Sequence, residues 1–197
     1  QKRMEFLDLA HSGLHLGELG RCLVEEGLEV GDLNVSYNSD NLGSCLGSKT
    51  SHELPMFADG IRVGLFAGWL RCLHVASLNL EDAGATVLCN AMGSAGNSRR
   101  LRLTKLDLTN NRIGVGGCDA FSRMLDQFEL IEDVTLSQNH LGDLGLEVIM
   151  EGLERNQEQA SISTLAVEHC HISTTFRAEA YSRLERSCRR IEVRFGS

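Results

Sequence analysis

The stretch GSCLGSKT, Gly43 to Thr50, has the spacing of a phosphate-binding loop with one departure. The motif GxxxxGK(S/T) wraps backbone amides around phosphates, places a lysine beside them and gives magnesium a hydroxyl ligand. Gly43, Lys49 and Thr50 fit this motif, whereas Ser48 stands where the second glycine belongs. These residues therefore raise the question of nucleotide binding.

The surroundings of GSCLGSKT favour a surface loop. A phosphate loop needs a strand that runs directly into the glycines and a helix that starts at the lysine. Here SYNSDNL precedes the motif, and Pro55 delays the next helix beyond Lys49. We interpret the motif as a Gly/Ser-rich loop and predict no cofactor. Tight ATP binding that disappears in Lys49→Ala would support the alternative.

The tripeptide His169-Cys170-His171 contains metal-ligand residue types. Zinc needs four convergent ligands, and no nearby pair of residues supplies the other two, so we predict no metal site. No serine, cysteine or histidine stands in a recognisable nucleophile–base setting, and no motif places a carboxylate pair for acid–base work. The sequence therefore predicts a protein without catalytic residues.

Composition restricts the partners. Asp and Glu number 27 against 19 Lys and Arg, a net charge of -8, so we expect a basic protein partner and no nucleic acid.

The densest apolar run, IRVGLFAGWL, contains Arg62 and is too short to cross a bilayer, which predicts no membrane span. Gly60, Gly64 and Gly68 would let a helix lie close to its neighbour. Seven cysteines without a leading apolar segment indicate a reducing compartment; we predict the cytoplasm, with cytoskeleton and nucleus as alternatives.

The second half of the chain repeats itself. LTKLDLTNNRIG from Leu103 and IEDVTLSQNHLG from Ile131 superimpose at a spacing of 28 residues, and both fit LxxLxLxxNxL. Each is followed by apolar residues at helical spacing, so each unit is a strand, a turn and a helix. The helix residues are Ala120, Phe121, Met124 and Leu125 in one unit and Leu146, Ile149, Met150 and Leu153 in the other.

The same frame extends in both directions. Further repeats start at Met4, Val30, Val75 and Ile162, and a last strand, CRRIEV, places Ile191 and Val193 in core positions. Cys170 takes the asparagine position of its repeat, and in the repeat from Val75 the sequence EDAGATVL replaces the usual turn. The spacing of 45 residues between Val30 and Val75 indicates an insertion, which we place near 39–53 and expect to be a mobile loop. We predict one array of about six to seven repeats over 1–197.

Repeats of 26 to 31 residues that carry helices resemble the ribonuclease-inhibitor-like subfamily of leucine-rich repeats, which includes Ran GTPase-activating proteins, tropomodulins and the repeat arms of NOD-like receptors. This resemblance implies an α/β fold, a right-handed solenoid with a parallel sheet on the concave side and helices on the convex side. The strand pattern agrees, because the leucines at positions one, four and six would point into a shared core.

Positions three, five, seven and eight of each repeat would then face outward, and together we call them the concave face. Many of these residues are acidic, and a curved surface with one sign of charge attracts a partner of the other sign. The alternative interpretation is that these acidic residues only make an exposed sheet soluble. The predicted partner-binding residues are Asp8, Asp32, Tyr37, Glu81, Asp82, Asp107, Asp133 and Glu168.

These features predict a non-catalytic protein–protein interaction module, a scaffold arm in an intracellular assembly that docks its partner on the acidic concave face. Two alternatives stay open: a GTPase regulator of the Ran-activator type, and an inhibitor of a basic enzyme. Because a strand follows directly on Gln1, Lys2 and Arg3 and the last strand lacks its helix, we also expect a segment of a longer protein or a chain capped by a partner.

Overall fold

The computed structural model describes residues 2–38, 52–95, 101–155, 162–187 and 191–196. Within them, strands alternate with helices along the chain. The strands are β1 Lys2–Asp8, β2 Leu28–Asn34, β3 Cys72–His74, β4 Leu101–Asp107, β5 Phe128–Thr135, β6 Thr164–Ala166 and β7 Glu192–Arg194. The helices are α1 Leu16–Glu25, α2 Glu53–Ala67, α3 Glu81–Ser94, α4 Val115–Leu125, α5 Gly142–Arg155 and α6 Thr174–Ser187.

The seven strands form one parallel sheet in sequence order, from β1 to β7. The strand residues at position four pair in register across the sheet and point into the core against the helices. This row is Leu7, Leu33, Leu73, Leu106, Val134, Leu165 and Val193. All the apolar helix residues predicted from the two intact repeats are buried, which confirms the predicted α/β solenoid with its sheet on the concave side.

The third strand lies elsewhere than predicted. The sequence pattern predicts a repeat that starts at Val75, but β3 is Cys72–His74, and Leu73 pairs with Leu33 and Leu106. The repeat therefore starts at Leu70 and reads LRCLHVASLNL, with Leu78 at the asparagine position. Two overlapping apolar patterns compete in this stretch, and only the earlier one pairs with both neighbouring strands. In the last strand, Val193 is buried as predicted, whereas Ile191 is only partly buried.

Buried asparagines connect successive repeats after their strands. Asn139 is fully buried; its amide donates to Leu108 O and Leu136 O, and its Oδ1 accepts from the backbone N–H groups of Asn111 and Ile113. Asn111 bonds the preceding repeat in the same way, through Val75 O and the Leu78 N–H. These bonds satisfy backbone groups that the turn would otherwise bury unpaired.

This asparagine ladder continues beyond the two intact repeats and is interrupted once. Cys170 donates from Sγ to Leu136 O at 3.1 Å, so it replaces asparagine as predicted. Asn38 donates to Leu9 O and Val35 O in the first two repeats. Leu78 has an apolar side chain at the equivalent position and cannot make these bonds to the repeat before it.

Glycines set the distance between α1 and α2. A Cβ on Gly20 would lie 2.2 Å from Met56 O, and one on Gly60 would lie 3.0 Å from the Gly20 Cα. The predicted close approach at Gly60 is therefore confirmed. Gly64 instead leaves room for the Trp69 ring, and Gly68 ends α2 with a φ of 77° and an N–H bond to Gly64 O.

The helix expected to begin beyond Lys49 is α2, which begins at Glu53 and ends at Ala67. Pro55 lies in its first turn, where proline is tolerated. The GSCLGSKT loop and the insertion predicted near 39–53 lie outside the described residues, apart from His52 and Glu53. Among the helices described, none is long and apolar enough to cross a membrane.

Candidate partner-binding face

The sheet register fixes which side chains share the concave face. Position three carries Phe6, Asp32, Cys72, Lys105, Asp133, Thr164 and Glu192 across the seven strands. Position five carries Asp8, Asn34, His74, Asp107, Thr135, Ala166 and Arg194. Position eight, in the turn that follows, carries His11, Tyr37, Ser77, Asn110, Gln138 and His169, all with positive φ.

Six of the eight predicted site residues have the placement expected. Asp8, Asp32, Asp107 and Asp133 lie on concave strands, and Tyr37 and Glu168 lie in the turns that continue them. Glu81 and Asp82 do not: they are the first two residues of α3. Their predicted placement followed from the misplaced third strand and is wrong.

Asp82 caps the neighbouring helix. Its Oδ1 accepts from the N–H of Gly114 at 2.6 Å and of Gly117 at 3.0 Å, at the N-terminus of α4. A carboxylate there satisfies free backbone donors and interacts favourably with the helix dipole. Glu81 lies 4.0 Å from Arg112, beside the same turn. The structure therefore gives Asp82 a structural role.

Some concave acids also shape their own turns. Asp8 Oδ1 accepts from the Ala10 N–H at 3.0 Å, and Asp107 Oδ1 accepts from the Thr109 N–H at 3.0 Å and from its hydroxyl at 2.6 Å. Asn34 makes the equivalent bond to the Ser36 N–H at 3.1 Å. A side-chain oxygen at position five thus accepts the hydrogen bond that stabilises the turn after the strand. The amide oxygen of asparagine accepts this bond as well as a carboxylate oxygen does.

His74 lies between two of the acids and was missed by the sequence analysis. Its Nε2 is 3.6 Å from Asp32 Oδ1, and its Nδ1 is 3.7 Å from Asp107 Oδ2. Burial alone would raise the pKa of Asp107, but the polar contacts of His74 and Thr109 outweigh it and leave the pKa below its usual value. The pattern LRCLHV, aligned from Leu70, would have placed His74 at position five.

Cys72 lies on the same strand as His74, and its surroundings favour the protonated thiol. Burial, and then the negative charge of Asp32, raises the pKa of its thiol. Cys89 and Cys118 lie in the helical core, where burial raises the pKa of each thiol to about 12. These cysteines behave as small apolar residues.

The carboxylates of the concave face are unevenly matched by cations. Lys105 lies directly opposite Asp133 in the register of β4 and β5. Arg194, which the sequence analysis left out of the concave face, donates from Nε to Glu192 at 2.8 Å. Negative charge is therefore concentrated in the first four strands, at Asp8, Asp32 and Asp107.

Aromatic side chains lie in the same part of the face. Phe6 is 56% exposed and pairs in register with Asp32. Tyr37 is 52% exposed and stacks on His11, with ring centroids 4.2 Å apart and planes 11° apart.

The histidines around Cys170 do not form a metal site. Cys170 points inward, whereas His169 and His171 are exposed and flank it with φ values of 55° and 58°. His171 contacts the His140 ring edge-on at 5.6 Å. Across the described ranges, no group of three or more His, Cys, Asp or Glu side chains is arranged to hold a metal ion.

Comparison with known proteins agrees with this architecture. A family described as "Leucine Rich repeat" matches residues 103–122, the first of the two intact repeats. Pig (Sus scrofa) ribonuclease inhibitor is 29% identical over 104 residues, which cover 53% of this chain. The chain has the leucine-rich-repeat fold, and its sequence is similar to that of ribonuclease inhibitor. Bovine (Bos taurus) NACHT, LRR and PYD domains-containing protein 3 is 27% identical over 186 residues, or 88% of this leucine-rich-repeat chain.

These relatives are much longer proteins. This leucine-rich-repeat chain spans 22% of the pig ribonuclease inhibitor and 15% of the bovine protein. Human (Homo sapiens) NACHT, LRR and PYD domains-containing protein 5 is 28% identical over 122 residues, which cover 62% of this chain and 10% of that protein. The similarity therefore concerns the repeat array.

Proposed function

We propose that the chain is a non-catalytic protein–protein interaction module, a scaffold arm in the cytoplasm that docks a partner with a basic surface on its acidic concave face. The single observation that carries this proposal is the charge of that face: Asp8, Asp32, Asp107 and Asp133 lie on four of the first five strands, and Lys105 is the one lysine or arginine among their register partners. A surface of one sign on a rigid sheet steers an oppositely charged partner into contact.

Architecture and similarity support this proposal. Repeat solenoids present extended surfaces to protein partners, and one relative is named for the inhibition of ribonuclease. That similarity also favours a second candidate function, the inhibition of a basic enzyme by the same face. Regulation of a GTPase stays a prediction, which a GTP hydrolysis assay with candidate small GTPases would separate from scaffolding. Membership of a longer chain or a larger complex is likewise part of the proposal.

The test uses substitutions that remove negative charge from the concave face and preserve the turn after β4. In Asp107→Asn with Asp133→Asn, the amide at 107 can still accept the Thr109 N–H, as Asn34 accepts the Ser36 N–H. Partners are captured from native extract at low ionic strength and identified by mass spectrometry, and the affinity of the purified basic partner is then measured at several salt concentrations. The double variant should bind about threefold to tenfold more weakly and with a smaller salt dependence.

The matched control is Glu151→Gln, which removes a charge from an exposed residue of the convex helix α5. It should leave affinity unchanged. If the double variant also binds with unchanged affinity and salt dependence, the acids only keep the sheet soluble and the proposal is wrong.

A further inference from the structure

We propose that the first two repeats form the principal contact of the docking surface and take an arginine side chain of the protein partner. Phe6, Asp8, His11, Asp32 and Tyr37 make up this contact, which we call the aromatic–acidic patch. The inference rests on the function proposed above and adds where on the concave face the partner binds and which side chain it presents.

Among the described repeats, only these two carry a phenylalanine or a tyrosine on the concave face. At position three, Phe6 is followed on later strands by Asp32, Cys72, Lys105, Asp133, Thr164 and Glu192. At position eight, His11 and Tyr37 are followed by Ser77, Asn110, Gln138 and His169. Large rings that leave more than half of their surface in water gain nothing for the core, and exposed aromatics are enriched in the energetic centres of protein interfaces.

The ring pair is held in place by the fold. His11 and Tyr37 have φ values of 55° and 62°, a conformation that bulky residues adopt only where the surroundings fix it. Their backbone N–H groups donate to Ser36 O and Ala76 O on the next repeat, and the rings stack on each other. A preorganised ring pair loses little conformational entropy when a partner binds.

The neighbouring carboxylates select a cation. Asp32 lies opposite Phe6, and Asp8 lies two residues along the same strand as Phe6. Asp32 Oδ1 is buried, 3.6 Å from His74 Nε2, whereas the Asp32 side chain as a whole is 32% exposed, so a partner can approach this carboxylate from one side. The nearby cation Arg71 extends over Gly31 and donates to Glu5 at 2.6 Å. Arg71 is thus paired with Glu5 near the start of the strands, and not with Asp8 or Asp32.

Arginine fits this combination better than lysine. Its planar guanidinium stacks on an aromatic ring and at the same time donates paired hydrogen bonds to a carboxylate, whereas an ammonium group offers a point charge. A phosphate-bearing ligand would be repelled by Asp8 and Asp32. The patch therefore points to a protein segment that carries arginine.

The experiment uses three capped seven-residue peptides in which glycine alternates with arginine, lysine or citrulline. They are titrated into the ¹⁵N-labelled chain while amide resonances are followed by NMR. The arginine peptide should shift the amides of Phe6, His11, Asp32 and Tyr37 most, and it should bind more tightly than the lysine and citrulline peptides.

The variants copy side chains that the chain itself uses at equivalent positions: Phe6→Thr, after Thr164, and Tyr37→Ser, after Ser77. Each should raise the Kd of the arginine peptide at least about fivefold, the loss of one cation–π contact. Leu144→Ala is the control, because Leu144 is 71% exposed on the convex helix α5 and should leave the Kd unchanged.

Equal binding of the lysine peptide, or shifts centred on Asp107 and Asp133, would overturn the inference. Binding measurements with the native partner distinguish a failure of this inference from a failure of the proposed function. If Asp107→Asn with Asp133→Asn weakens the partner but Phe6→Thr and Tyr37→Ser do not, the concave face docks the partner and the aromatic–acidic patch is not its principal contact. If neither set of variants weakens the partner, both proposals are wrong.

Discussion

At the scale of single residues, position five of the strand combines two roles. Asp8 and Asp107 contribute negative charge to the concave face and also accept the N–H two residues later, which holds the chain in its turn. Asn34 makes the same bond without a charge. Substitutions that change charge and hydrogen bonding together, such as aspartate to lysine, would therefore disturb the turn as well as the surface. Asparagine is the replacement that removes the charge of Asp107 and preserves the turn.

Asp107 gives a prediction about pH. Its pKa is lower in the folded chain than its usual value, so it contributes stability that is present above the usual pKa, near 4, and is lost as the pH falls through the folded value. Thr109→Val removes the hydroxyl donor and should raise the pKa of Asp107, which makes the loss of unfolding free energy between pH 7 and pH 3 smaller. Carboxyl NMR titration and denaturant unfolding at both pH values measure this.

The control for that prediction is Thr109→Ser, which keeps a hydroxyl beside Asp107 and should keep the wild-type pKa. His74→Phe should raise the pKa of Asp107 in the same direction as Thr109→Val, because phenylalanine has no donor to replace the imidazole of His74. An Asp107 pKa that is identical in wild type and in Thr109→Val would mean that the Thr109 hydroxyl does not lower it.

The intact repeats could be predicted from sequence almost completely, and the third repeat could not. Asn111 and Asn139 mark the turns after β4 and β5, so strand, turn and helix follow directly. In the third repeat, Leu78 stands where asparagine marks the turn, and the frame was shifted five residues to Val75. Since His74 lies just before that frame, its contacts with Asp32 and Asp107 were missed along with the strand. Ring stacking and exposure at Tyr37 also depend on which repeats become neighbours, which spacing alone does not describe.

At the scale of elements, helix N-termini are completed by acids from other helices. Glu53 at the start of α2 accepts the Gly17 N–H of α1 at 2.6 Å, and Asp82 in α3 accepts the N–H groups at the start of α4. Asp143 in α5 accepts the Ser173 N–H just before α6 at 2.7 Å. Each of these helices therefore depends on an adjacent repeat for its cap, as well as for the burial of its apolar face.

The contact between α1 and α2 predicts the effect of a single methyl group. In Gly20→Ala, the new Cβ would lie 2.2 Å from Met56 O, so the two helices must move apart, and the free energy of unfolding should fall by about 1–3 kcal/mol. Chemical denaturation of the purified variant measures this change.

Gly93→Ala in α3 is the matched control. Its Cβ would be 3.7 Å from the nearest atom, an ordinary contact, and alanine has the higher helix propensity, so stability should stay the same or rise by up to about 1 kcal/mol. Equal losses of stability in both variants would mean that the close approach at Gly20 does not limit the packing of α1 on α2.

At the scale of the whole molecule, a net charge of -8 conceals an uneven distribution. Two arginines near the end of the chain are paired with acids: Arg183 binds Glu147 and Glu154 of α5, and Arg194 binds Glu192. The acids without a lysine or arginine opposite them, Asp8, Asp32 and Asp107, and the exposed rings of Phe6 and Tyr37 lie on or next to the first four strands. A partner that meets this leucine-rich-repeat protein through long-range attraction is thus directed toward the first repeats.

The leucine at position 78 also has a consequence for how the molecule opens. In a linear array, the coupling between neighbouring repeats decides whether they unfold together, and Leu78 removes one set of coupling bonds between the second and third repeats. In native-state hydrogen exchange, the backbone amides of Leu7 and Leu33 should exchange through a partial unfolding of the array. The backbone amides of Leu106 and Val134 should stay protected in that partly unfolded state. Asn139→Leu removes the equivalent bonds between the fourth and fifth repeats. In this variant, Leu106 and Val134 should therefore no longer exchange with the same free energy of opening. One common exchange free energy for all strands, before and after this substitution, would mean that the array melts as a single cooperative unit despite its broken ladder.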